Sequence, residues 1–109
     1  MEGYTFIDKV ENFEDGDMDN YKVNGYDILL SCVSDDFYAV EAICTHEYAE
    51  LVEGDLEDHF VTCPLHFACF DVRDGSVQDP PATKPLQTFE VKVENNSIWI
   101  SNSPKEVRT

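Results

Sequence analysis

Cys44-Thr45-His46 and Cys63-Pro64-Leu65-His66 constrain this chain more than any other residues. They form two Cys/His pairs, C-x-H and C-x-x-H, and each can offer one thiolate and one imidazole from a tight loop. A chain of 109 residues carrying this pattern must bring two loops face to face. Two metal arrangements fit. Both pairs can close on one tetrahedral zinc, or the two Cys can hold one iron of a [2Fe–2S] cluster and the two His the other. Structural zinc usually pairs like with like, as C-x-x-C and then two His, whereas here each loop carries one of each type. An all-Cys plant-type cluster fits poorly, because Cys63 and Cys69 have the wrong gap and Cys32 lies in an apolar run. Pro64 stiffens the second loop and removes a backbone donor beside Cys63. The mixed pairs favour the cluster, with zinc as the competitor.

The rest of the chain reads as short strands broken by turns. Tyr4 to Val10 is β-prone, and Glu14-Asp15-Gly16-Asp17 is a turn. Tyr21 to Val33 reads as a hairpin, since Asn24-Gly25 suits a tight primed turn. Phe37 to Ile43 is a strand that delivers Cys44, and His59 to Thr62 is a short strand that delivers Cys63. Phe70 to Val77 is a third hairpin, and residues 79–85 hold three prolines and must be a loop. Leu86 to Glu94 and Ser97 to Ser101 close the chain as a hairpin about Asn95-Asn96. Glu47 to Val52 is the best candidate for a short helical turn, and the tail from Asn102 is expected to fray. The expectation is an all-β protein: one small antiparallel barrel or sandwich of about eight to ten strands. It spans residues 1–109 as a single domain, with a two-loop metal-binding part over about 43–72.

The formal net charge of −16 excludes more than it identifies. Acidic residues run along the whole chain, with local runs at Glu14-Asp15-Gly16-Asp17, Asp35-Asp36 and Glu53-Gly54-Asp55-Leu56-Glu57-Asp58. Such a surface repels DNA, RNA and anionic membranes. It serves solubility, or docking to basic faces of partner proteins. There is no apolar run long enough to span a bilayer and no basic-then-apolar leader at the N-terminus, so the expected compartment is the cytoplasm.

The motif C-x-H, then C-x-x-H some fifteen to seventeen residues later, resembles that of the Rieske family, whose pairs stand here as Cys44/His46 and Cys63/His66. The resemblance extends to Phe37-Tyr38-Ala39-Val40, to Phe70-Asp71-Val72-Arg73-Asp74-Gly75, and to Asp79-Pro80-Pro81-Ala82 with Leu86, so it covers nearly the whole chain. In length and lack of extra domains the chain is similar to the stand-alone ferredoxins of bacterial aromatic-ring dioxygenase systems. The resemblance implies one [2Fe–2S] cluster, with Cys44 and Cys63 on the inner iron and His46 and His66 on the outer one. It implies a soluble one-electron carrier and not an enzyme. Its partners would be a flavin-dependent ferredoxin reductase and a terminal Rieske oxygenase. A Rieske-like small subunit of a nitrite reductase and a structural zinc module for protein binding are the alternative readings.

The departures from the family also carry information. Respiratory Rieske proteins join their two loops by a disulfide, and the matching positions here are Ala49 and Leu65. The Ser and Tyr whose hydroxyls bond to cluster and cysteine sulfur in those proteins are Ala68 and Phe70 here, and Tyr48 stands where many members have Gly. Cys32 and Cys69 are expected to be buried thiols outside the metal site. His59 is expected at an edge or surface, and Trp99 in the core.

Overall fold

Two asparagine-led turns set two of the hairpins. Asn24 and Gly25 take φ of 50° and 85°, and Asn95 and Asn96 take 51° and 63°. Positive φ at both central positions matches the twist of the flanking strands. The first turn joins β2 (Met18–Val23) to β3 (Tyr26–Val33), with Val23 opposite Tyr26. The second joins β10 (Val91–Glu94) to β11 (Ser97–Ser101), with Glu94 opposite Ser97.

The computed structural model describes residues 2–44, 49–64, 68–79 and 84–105. The other strands are β1 (Tyr4–Lys9), β4 (Asp36–Glu41), β5 (Asp55–Glu57), β6 (Phe60–Thr62), β7 (Cys69–Asp71), β8 (Val77–Asp79) and β9 (Thr88–Phe89). They form three antiparallel sheets, ordered β1-β11-β10, β2-β3-β4-β9 and β5-β6-β7-β8. Glu90 alone separates β9 from β10, so the chain passes there from the second sheet to the first. Among the described residues there is no α-helix, only 3-10 turns at Val10–Asn12 and Leu51–Glu53, and thus no helix able to cross a membrane.

The middle sheet is the common wall of two cores. Every residue from Ile28 to Val33 of β3 is buried, as expected of a strand covered on both faces. Leu29, Val33 and Val40 face a cluster that holds Val61, Phe70 and Leu86 together with Cys44 and Cys63. Ile28, Leu30 and Ala39 face a second cluster with Phe89, Ile98 and Ile100.

The all-β architecture agrees with the sequence reading, and several details correct it. The described residues contain eleven strands, one more than the upper expectation. The additional strand is β5, hidden in the acidic run, where Leu56 alone packs inward while Asp55 and Glu57 stay exposed. His59 lies in the β5–β6 turn and not in a strand, half-buried against the Tyr38 ring at 5.6 Å. The expected helical turn is realised only as Leu51–Glu53 in its described part, with residues 47 and 48 outside the described residues. Cys69 is half-buried, whereas Cys32 is fully buried as expected. Trp99 points to the outer face of the first sheet, half-buried edge-on to Phe6, because Ile98 and Ile100 occupy the core side. The start of the tail is held, with Asn102 N–H donating to Gly3 O and Lys105 N–H to Thr88 O at 2.9 and 2.7 Å.

Candidate metal centre

The two cysteine loops are built alike. After β4 the chain runs through Ala42 and Ile43 to Cys44 and returns through Ala49, Glu50 and Leu51. Ile43 and Glu50 form an antiparallel bridge, Leu51 N–H donates to Ala42 O at 3.0 Å, and Cys44 N–H donates to Ala49 O at 2.9 Å. The second loop extends the β6–β7 hairpin. Thr62 lies opposite Cys69, and Cys63 N–H donates to Ala68 O at 2.7 Å. Each cysteine therefore starts a loop that is closed by its own N–H on the carbonyl of an alanine five residues on. The alanines are buried, as are the cysteines at 4% and 0% exposure, and all four belong to one core cluster. Only a small side chain fits where two chain limbs close beside a buried sulfur.

Thus Cys44 and Cys63 sit at the bases of two loops and share one core cluster with Leu51, Val61, Ala68 and Phe70. No disulfide joins any two of the four cysteines. His46 and His66 lie outside the described residues, as do Tyr48 and Leu65. Cys32 stands apart from the two loop bases, and Cys69, next to Ala68 at the second, is not part of the core cluster that holds Cys44 and Cys63. Cys32 sits in β3 with its thiol toward Ser34 O at 3.5 Å. Burial pushes that thiol up from its ordinary value, and Asp15, Asp17, Asp35 and Asp36 push it further. A thiol held protonated is a poor metal ligand. Cys69 lies on the outer face of the third sheet, beside Thr62 and Gln78. From sequence, Ala49 and Ala68 stand out only as departures from the respiratory Rieske pattern, and their loop-closing role is not foreseen. Their signal is the parallel between C-T-H-E-Y-A and C-P-L-H-F-A, where an aromatic and then Ala end each loop.

Behind the second loop the nearly buried Asp71 pairs with the half-exposed Arg73. Asp71 accepts from the Arg73 guanidinium at 2.7 and 3.0 Å and from Arg73 N–H at 2.9 Å, and its carboxylate is nearly buried. Those bonds hold the Asp71 carboxyl below the usual carboxylate range. Asp71 N–H donates to Ser76 O, and its carbonyl accepts from Gly75 N–H, so the pair fixes the β7–β8 turn.

Two buried thiols at the bases of matched loops, with no disulfide between them, are a donor set suited to a bound metal group. Residues 3–90 match the family described as the Rieske [2Fe–2S] domain. The ferredoxin component of the naphthalene 1,2-dioxygenase/salicylate 5-hydroxylase systems of Ralstonia sp. is 37% identical over 84% of this chain and 88% of that protein. The 3-phenylpropionate/cinnamic acid dioxygenase ferredoxin subunit of Photorhabdus laumondii is 38% identical over 93% of this chain and 96% of that protein. A chain of the solved complex of reduced oxygenase and oxidized ferredoxin in carbazole 1,9a-dioxygenase superposes with a TM-score of 0.92. It is 29% identical over 98% of this chain and 100% of its own length. The choice between zinc and an iron–sulfur cluster is thereby decided, for a match over most of the chain, on a fold that buries Cys44 and Cys63 in one core, means that this protein belongs to the Rieske [2Fe–2S] domain family and that one such cluster is its cofactor.

Proposed function

We propose that this protein is the one-electron carrier of an aromatic-ring dioxygenase system. It takes electrons from a flavin-dependent reductase and delivers them to a terminal Rieske oxygenase, without being an enzyme itself. The observation that carries this reading is the near full-length similarity to ferredoxin components of such systems. In this reading the chain is one domain over 1–109 and works in the cytoplasm. Cys44 and Cys63 hold one iron as thiolates, and His46 and His66 hold the other through neutral imidazole. The bound cluster supplies reversible one-electron chemistry and no bond-making. The chain contributes a dry, apolar surround on the cysteine side through Leu51, Val61, Ala68 and Phe70. Its exposed acidic residues, including Glu53, Asp55, Glu57 and Asp58, offer complementarity to basic partner faces.

The test is ligand by ligand. Cys44→Ser, Cys63→Ser, His46→Ala and His66→Ala should each yield protein lacking the red-brown cluster. Cys32→Ser and Cys69→Ser should keep both colour and iron. A colourless Cys69→Ser protein would overturn the ligand set. Stopped-flow reduction by a purified flavin reductase, followed by reoxidation with a terminal oxygenase, tests the carrier role. A cluster-loaded protein that couples no such pair would exclude it.

A further inference from the structure

Gly54 lies between the 3-10 turn Leu51–Glu53 and β5, and its backbone does not explain its identity. Its φ of −88° and ψ of −158° are open to any residue. Space explains it. A Cβ at Gly54 would lie 1.9 Å from Thr62 O and 3.1 Å from Thr62 C. That is far inside the roughly 3.5 Å at which nonbonded heavy atoms stop attracting and begin to clash. Both sides of the contact are backbone, so no side chain can swing away.

The peptide it touches is the one that enters the second loop. The Thr62 carbonyl and the Cys63 N–H belong to one rigid plane. Its carbonyl rests on Gly54, and its N–H closes the loop on Ala68 O. Turning the plane to admit a Cβ must strain that closure. On the other side, Gly54 N–H donates to Leu51 O, and Leu51 N–H to Ala42 O, two residues before Cys44. The last β5–β6 pair is Asp55 with Thr62, so continuing that register sets Gly54 opposite Cys63. A continuous backbone path thus runs from Cys44 through Ala42, Leu51, Gly54 and Thr62 to Cys63.

We infer that Gly54 is a positioning residue for the cluster. By lacking a side chain it sets how closely the limb leaving the Cys44 loop approaches the peptide entering the Cys63 loop, and so sets the spacing of the two cysteines. The inference rests on the ligand reading given above for those two residues. A role confined to fold stability would lower the melting temperature and leave the cluster's own signature unchanged, whereas a positioning role moves that signature.

The experiment compares Gly54→Ala with Ile98→Ala, which opens a cavity in the core cluster that contains neither cysteine. Each holoprotein is measured by electron paramagnetic resonance in the reduced state, by potentiometry, and by the rate at which a chelator removes iron. Gly54→Ala should shift the resonance positions and the potential and lose iron roughly 10-fold faster than the parent. Ile98→Ala should melt earlier with resonance and potential unchanged. A folded Gly54→Ala protein that fails to take up iron also supports the inference. A loaded Gly54→Ala protein with parental resonance, potential and iron-loss rate overturns it, as does an equal spectral shift in Ile98→Ala. Should Gly54→Ala not accumulate, amide exchange in the parent holoprotein decides. The Gly54 and Cys63 amides should open as one unit, and a Cys63 amide that stays protected while Gly54 exchanges overturns the coupling. A parent protein without iron would instead refute the cluster reading itself.

Discussion

The two cores that share the middle sheet are made of different materials. The one away from the cysteines is filled by branched and aromatic side chains: Val23, Ile28, Leu30, Phe89, Ile98 and Ile100. Its outer wall is the β1-β11-β10 sheet, with strands of six, five and four residues. The core around the cysteines mixes sizes: Ala42, Ala49, Ala68, Cys44 and Cys63 sit among Leu29, Leu51, Val61, Phe70 and Leu86. Its outer wall is a sheet whose four strands have three residues each. Three-residue strands give few ladder bonds, and each alanine or cysteine at the loop bases buries less apolar area than a branched residue would. The difference predicts that the half away from the cysteines is the more stable scaffold, and that the order of the short-stranded half draws on what binds there.

Removing the cluster should break this contrast open most widely. In cluster-free protein, amide exchange in β5 to β8 should accelerate at least about 100-fold, as expected when a tightly bound group no longer stabilises that region. The amides of β3 and β4 should stay protected. Mass spectrometry of exchanged peptides reads both halves in one experiment, and equal acceleration everywhere would show a single cooperative unit.

Next in size, Ile98→Ala deletes a wholly buried side chain from the scaffold core. It should cost about 2–5 kcal/mol of unfolding free energy in urea titration, with the cluster's absorption unchanged.

Arg73→Ala tests the electrostatic brace of the site half. It leaves the nearly buried Asp71 carboxylate with the residue-73 N–H but without its guanidinium, and should lower the urea midpoint modestly near neutral pH. Because Asp71 titrates below the ordinary carboxylate value in the folded protein, its contribution is present above about pH 3.9 and is lost as pH falls through the depressed folded value. Arg73→Ala raises that folded value, so acid unfolding should begin at higher pH in the variant. Circular dichroism across an acid titration checks the sign.

The smallest effect sharpens the comparison at the sulfurs themselves. Ala68 and Phe70 are buried beside the cysteines and carry no hydroxyl. Without those donors the potential should sit near the bottom of the Rieske range, about −150 mV. Ala68→Ser with Phe70→Tyr should raise it by on the order of 50 mV, the equivalent of about one net hydrogen bond in a one-electron couple. Potentiometry on parent and double variant measures both numbers.

Local chemistry alone determined much of this protein. Asn24-Gly25 and Asn95-Asn96 dictate their hairpins because positive φ at two successive residues is a local property. The mixed Cys/His pairs supplied the proposed donors, and the motif around them named the family, because residue type and spacing are written along the chain. Other features were decided only by tertiary structure. The acidic segment Asp55–Glu57 has no strand-like composition and becomes β5 because β6 offers it a ladder and Leu56 a core to enter. Trp99 leaves the interior because the core face of β11 is taken by Ile98 and Ile100. The closure of each loop on an alanine carbonyl, and the seat of Thr62 O against Gly54, depend on where separate stretches of backbone meet. Side-chain chemistry is carried by each residue in isolation, but backbone contacts between distant segments exist only once packing has set the distances between them.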